Sequence, residues 1–175
     1  MIRAGIPAAS LLSACLALLP GIASSLEVGA AAPAFTLPGL RPEDGASVNP
    51  ADYRGKVVYV DFWASWCAPC LISTPLLNEL RNKLVQQGKP FEIVAVNVDK
   101  DPEDGIDFLL DEPVQYVTVS DPQGRTPSGY EVAAMPTAFL VDADGTIRLI
   151  HEGFKSSDIE LIEAEVNRLL AELPR

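Results

Sequence analysis

Lys56-Val57-Val58-Tyr59-Val60-Asp61-Phe62-Trp63-Ala64-Ser65-Trp66-Cys67-Ala68-Pro69-Cys70 begins as a strand and ends as the start of a helix. The run from Lys56 to Trp63 is β-branched and aromatic with no polar alternation, the pattern of a strand buried on both faces in a parallel sheet. After Cys67, Ile72, Leu76, Leu77, Leu80 and Leu84 recur at helical spacing, with Asn78, Glu79, Arg81 and Lys83 on the far face and Gly88 as the stop signal. Pro75 falls inside this helix and should kink it, because proline lacks an N–H and crowds the preceding turn. Phe91 to Val98 reads as a second buried strand. Strand, helix and strand of these lengths form a βαβ unit, for which a right-handed crossover is expected.

Working outward, residues 26–55 are rich in Pro, Gly and Ala and read as an irregular N-terminal extension with one or two short strands. Asp101 to Glu112 predicts a short helix built on Ile106, Phe108, Leu109 and Leu110, and the acidic run 99–112 reads as a solvated face. Tyr116 to Val119 predicts a short strand. Ala138–Val141 and Thr146–Ile150 flank Asp142-Ala143-Asp144-Gly145, a hairpin signal. Ser157 and Glu160, three apart, predict a capping box at the start of a last helix that buries Ile159, Ile162, Val166, Leu169 and Leu170. Neither an internal repeat nor a linker is visible, so the reading is one α/β domain.

The chain has 175 residues, 48% hydrophobic and 21% charged, which excludes disordered and collagen-like classes. Its formal net charge of −11 argues against nucleic acid or an anionic membrane surface as a partner. The N-terminus carries one Arg, then a mostly apolar stretch from Ala4 to Ile22, a Pro20-Gly21 break and small residues around Ala23. These are the parts of a secretory signal, residues 1–23, ahead of a domain at 24–175. Two alternatives stand beside it: an uncleaved single membrane anchor, and a lipoprotein through Leu12-Ser13-Ala14-Cys15. All three place the domain outside the cytoplasm, in the periplasm or an equivalent compartment.

Of the three cysteines, Cys15 belongs to the leader, leaving Cys67 and Cys70. Two cysteines three positions apart close too small a loop to add much stability, so their purpose is chemistry. They sit where a buried strand hands over to a helix, a place of unpaired N–H groups and positive partial charge that favours a thiolate. Cys67, at the helix mouth, is the expected nucleophile, and Cys70, one turn in, the resolving thiol. Pro69 suits the first turn, where its missing N–H is not needed. A structural zinc site needs four ligands, and beyond this pair only His151 remains, so no metal is expected.

Residues 56–75 resemble thioredoxin around its active site, and Met135-Pro136-Thr137 resembles the segment that faces the dithiol in that fold. The leader, Ala32-Pro33-Ala34-Phe35-Thr36-Leu37, Arg54-Gly55-Lys56, and Tyr130 through Gly145 are similar to the extracytoplasmic TlpA/ResA branch. The material between Asp99 and Tyr130 matches that branch's helix-strand insertion. The resemblance implies a thioredoxin-like fold: a central mixed sheet flanked by helices, with the extension and the insertion added. It implies a thiol-disulfide oxidoreductase that works as a reductase with its own dithiol and no external cofactor. Protein disulfides in apocytochrome c or in copper-delivery proteins would be its substrates, and a membrane thiol transporter its electron donor. It also implies a cis peptide at Met135–Pro136, whose backbone would pair with a substrate segment. From the residues alone Pro136 could equally open a strand.

Asp61, in a buried strand beneath the dithiol, would have a raised pKa and could take the Cys70 proton. A strand-end Asp touching solvent is the alternative reading. Trp66, beside Cys67, is expected on the apolar docking face around the nucleophile. The chain departs from its branch at Ser73, where a Glu is common three residues after the second cysteine. Two other functions share parts of the pattern. A peroxiredoxin-type peroxidase would want Thr where Ala64 stands, and a Cu(I)-binding assembly factor would want wider cysteine spacing and a placed His.

Overall fold

The computed structural model describes residues 26–174. The leader, its expected cleavage after Ala23 and Cys15 therefore lie outside the described residues. Five strands form one mixed sheet: β1 (Val57–Trp63), β2 (Phe91–Asn97), β3 (Val117–Ser120), β4 (Thr137–Val141) and β5 (Ile147–Glu152). Their order is β3-β2-β1-β4-β5. β1, β2 and β3 run parallel, whereas β4 is antiparallel to β1 and β5 to β4. The helices are α1 (Ala68–Gln86), α2 (Pro102–Asp111), α3 (Arg125–Gly129) and α4 (Asp158–Glu172).

Every residue of β1 and of β2 is buried, as their unbroken apolar runs require. Side chains alternate between two cores. Val57, Tyr59 and Trp63 join Leu77, Leu80 and Leu84 of α1 and Ile162, Val166 and Leu169 of α4 on one face. Val58, Val60 and Phe62 join Phe35, Val48, Tyr130 and Phe139 on the other. That second face is covered by the N-terminal extension, whose Phe35 packs edge-on against Tyr130, and the Tyr130 hydroxyl donates to Pro33 O at 2.8 Å.

The extension contains no regular strand, a correction to the expectation. It forms two 3-10 turns, Pro42–Asp44 and Pro50–Tyr53, and isolated bridges such as Leu37 to Val48. Its prolines cannot donate to a ladder. It still seals both sheet edges. Leu40 N donates to Thr118 O and Ser120 N to Pro38 O along β3, while Gly29 N donates to Ile147 O at β5. Covered edges cannot template pairing with another chain.

Three further expectations are corrected. Ile72 was expected in the core but is 45% exposed. The buried stripe of α1 runs through Cys70, Ser73, Thr74, Leu77, Leu80 and Leu84, so small and polar residues hold the inward positions in the first turns. α1 continues through Pro75, and it ends with Gly88 at φ +71 and Lys89 N donating to Leu84 O, a left-handed C-terminal cap. Ser157 makes no capping hydrogen bond, because its backbone is already helical at φ −68, ψ −19, whereas a capping serine needs extended backbone. In the acidic run, Glu103, Asp104, Asp107, Asp111 and Glu112 are exposed, but Asp99 is buried.

α2 sits close against the end of β2 because Gly105 has no side chain. A Cβ there would lie 2.7 Å from Asn97 Nδ2, on a fully buried side chain held by hydrogen bonds. Gly105→Ala should therefore cost about 1–3 kcal/mol of overpacking. This outweighs the roughly 1 kcal/mol that alanine gains over glycine in a helix. Urea denaturation checks this, and a variant as stable as the unaltered chain would contradict the packing account.

Candidate active site

β1 ends at Trp63, and a three-residue turn leads to Cys67, the N-cap of α1 in extended conformation at φ −86, ψ 100. Cys70 N donates to Cys67 O at 2.9 Å, so both cysteines belong to the first helical turn. They form a disulfide with 5.2 Å between their Cα atoms. Both are buried, but of the two only Cys67 keeps any exposure, 4%, against none for Cys70. The unpaired N–H groups of the first turn present positive partial charge to that position. Trp66, the last residue of the turn, is 69% exposed, whereas Trp63 is buried with its ring 5.1 Å from that of Phe108 of α2 and tilted to it by 49°.

Asp61 shares its face of β1 with Tyr59 and Trp63, the face covered by α1 where both cysteines pack. It is buried, and loss of solvation alone pushes its carboxyl up to about 8. This excludes the reading of a strand-end acid in water. Two buried tyrosines, Tyr59 and Tyr116, have raised pKa values, first from their own burial and then from the nearby Asp61 charge.

The sheet register delivers the third part. Phe62 pairs with Thr137, so Pro136 follows beside the end of β1. The Met135–Pro136 peptide is cis. Pro136 is buried and its carbonyl accepts from Gly153 N at 2.8 Å. Met135 is half-buried and packs against the cluster that contains both cysteines.

The sequence reading gave no role at the site to Ser65, Asn97 or Asp99. Asp99 accepts from Ser65 N at 2.9 Å, Ser65 Oγ at 3.0 Å and Asn97 Nδ2 at 2.7 Å. Asn97-Val98-Asp99 directly after an apolar strand was the available signal, since Asn and Asp side chains favour local bonds to nearby backbone. Ser73, at the position where the branch often has Glu, is buried and its hydroxyl donates to Cys70 O at 3.3 Å. His151 is half-buried, with Nε2 3.4 Å from Asp158 Oδ2 on the β5–α4 side. Among the described residues, no three His, Cys, Asp or Glu side chains gather as a metal site.

Known proteins agree with this geometry. Residues 27–169 match the Redoxin family. The thiol-disulfide oxidoreductase ResA of Geobacillus kaustophilus is 36% identical over 138 residues, covering 78% of this chain and 76% of that one. A crystal structure from Chlorobium tepidum, assigned as a thiol:disulfide interchange protein DsbE, matches with a TM-score of 0.77 and 42% identity over 83% of this chain and 99% of that one. A thiol:disulfide interchange protein from Bacteroides sp. matches with a TM-score of 0.69 and 30% identity over 82% of this chain and 93% of that one. A cysteine pair at a helix mouth on a thioredoxin-like sheet, with these relatives, defines an oxidoreductase that acts on protein disulfides. The chain belongs to the redoxin family, in its TlpA/ResA-like thiol-disulfide oxidoreductase branch.

Proposed function

We propose that this protein is an extracytoplasmic reductase of protein disulfides, serving cytochrome c maturation or the assembly of respiratory copper proteins. The observation that supports it best is the Cys67–Cys70 pair at the mouth of α1 with a buried Asp61, its carboxyl raised to about 8, on the same face of the sheet. In the reduced enzyme the Cys67 thiolate attacks a substrate disulfide, forming a mixed disulfide and releasing one substrate thiolate. Cys70 gives its proton to Asp61 and attacks Cys67 Sγ, releasing the second substrate thiolate. Two electrons pass to the substrate and the enzyme is left as the disulfide. Asp61 ionises near pH 8, so the carboxylate form that takes this proton grows as the pH rises toward that value.

Trp66, Met135 and Pro136 form the substrate contact: an exposed indole, a thioether and a strand-end backbone beside the dithiol. A membrane thiol transporter returns the enzyme to the dithiol. Residues 1–23 act as the secretory leader or, uncleaved, as a single anchor for domain 24–175. The reducing direction draws support from Ala68-Pro69, which is closer to the Gly-Pro of reducing thioredoxins than to the Pro-His of strong oxidants.

Incubating the reduced protein with an oxidised Cys-x-x-Cys-His peptide should give stoichiometric peptide dithiol. Intact peptide disulfide beside rapid peroxide turnover would instead identify a peroxidase.

A further inference from the structure

We infer that Asp99 is a positioning residue that increases the reducing power of the dithiol by clamping the turn ahead of Cys67, acting through Ser65. This rests on the reading of Cys67–Cys70 as the working pair. Three donors converge on the Asp99 carboxylate: Ser65 N, Ser65 Oγ and Asn97 Nδ2, at 2.9, 3.0 and 2.7 Å. Asp99 N in turn donates to Asn97 Oδ1 at 3.2 Å, closing the loop between the two side chains. Val98 N donates to Trp63 O at 3.0 Å, which ties the end of β2 to the end of β1 at the same level. Asp99 is 1% exposed and Asn97 0%, so the whole clamp is out of water. Accepting on both oxygens with no donation is the pattern of an ionised carboxylate.

Two consequences follow, with the same sign. The clamp fixes Ser65, two residues before Cys67, while α1 fixes Cys70. The open dithiol then loses little freedom when the disulfide closes, and a freed turn would favour the dithiol instead. The buried negative charge also disfavours a thiolate at Cys67, and the thiolate belongs to the reduced form. Removing Asp99 therefore stabilises the dithiol on both counts and weakens the protein as a reductant.

The test equilibrates the protein with glutathione and reads tryptophan fluorescence. Asp99→Asn should move the equilibrium constant about tenfold toward the dithiol, about 30 mV for a two-electron couple. Ser65→Ala keeps the backbone bond and loses only the hydroxyl, so about threefold in the same direction is expected. Ser65→Thr, which keeps the hydroxyl, should recover most of that change. The pH profile of Cys67 alkylation should move to lower pH in Asp99→Asn and stay in place in Ser65→Ala. If Asp99→Asn fails to fold, the Ser65 pair carries the test. Equilibrium constants within twofold of the unaltered protein, or a shift toward the disulfide, would overturn the inference even if urea stability fell. An unaltered protein whose cysteines do not titrate reversibly would overturn the reading of the pair itself.

Discussion

Cys70→Ser is expected to stop the reaction halfway, with substrate held on Cys67 as a mixed disulfide and turnover reduced to background. Cys67, at the helix mouth, is the one of the pair that keeps some exposure and Cys70 has none, so removing the inner thiol leaves attack intact and removes resolution. Cys67→Ser should be equally inactive and should trap nothing, because a hydroxyl at neutral pH is a far weaker nucleophile than a thiolate. Non-reducing electrophoresis with an oxidised protein substrate separates the two results. Trapping by Cys67→Ser instead of Cys70→Ser would reverse the roles.

Asp61→Asn is expected to change both catalysis and stability, with opposite value to the protein. A positioned general base contributes about 10²–10⁴-fold, so mixed-disulfide resolution should slow by at least about 10². The rate limb near pH 8, where Asp61 ionises, should disappear from the pH profile. For stability, the folded pKa of about 8 lies above the ordinary value of 3.8. The folded state therefore holds the proton that the unfolded state releases. That contribution is fully present below about pH 4 and is lost as pH rises through about 8. Asn carries no such cost, so the variant should gain on the unaltered protein from pH 4 to 8, by about 6 kcal/mol at the full shift. Parallel urea titrations across that range read the difference. Parallel curves would mean that Asp61 is solvated.

How far the sequence carried the account differs from one element to another. β1, α1 and β2 were legible because a strand buried on both faces and a helix stripe leave unbroken apolar or 3.6-period patterns. The pairing of the extension with both sheet edges was not, because it is made by backbone groups such as Leu40 N and Pro38 O, which have no side-chain signature. Ile72 was misplaced because the helix face beneath the dithiol is occupied by Cys70, Ser73 and Thr74, so the nearest aliphatic residue looked like core. Asp99 was read as one acid among several in a charged run. Only the folded chain brings Ser65 and Asn97 to its two oxygens. Cys67, Cys70 and Asp61 stood out because their chemistry follows from residue type and position alone: a dithiol at a strand-helix junction and an acid in an apolar strand. The neighbourhood of Met135–Pro136 needed the register of β4 against β1.

The reducing direction is the central claim, and the Cys67–Cys70 reduction potential tests it most directly. Equilibration of residues 24–175 with glutathione or dithiothreitol, read by tryptophan fluorescence, should give a midpoint at or below about −230 mV, on the thioredoxin side of the known range. A midpoint near about −120 mV would mark a donor of disulfides and contradict the assignment as a reductase.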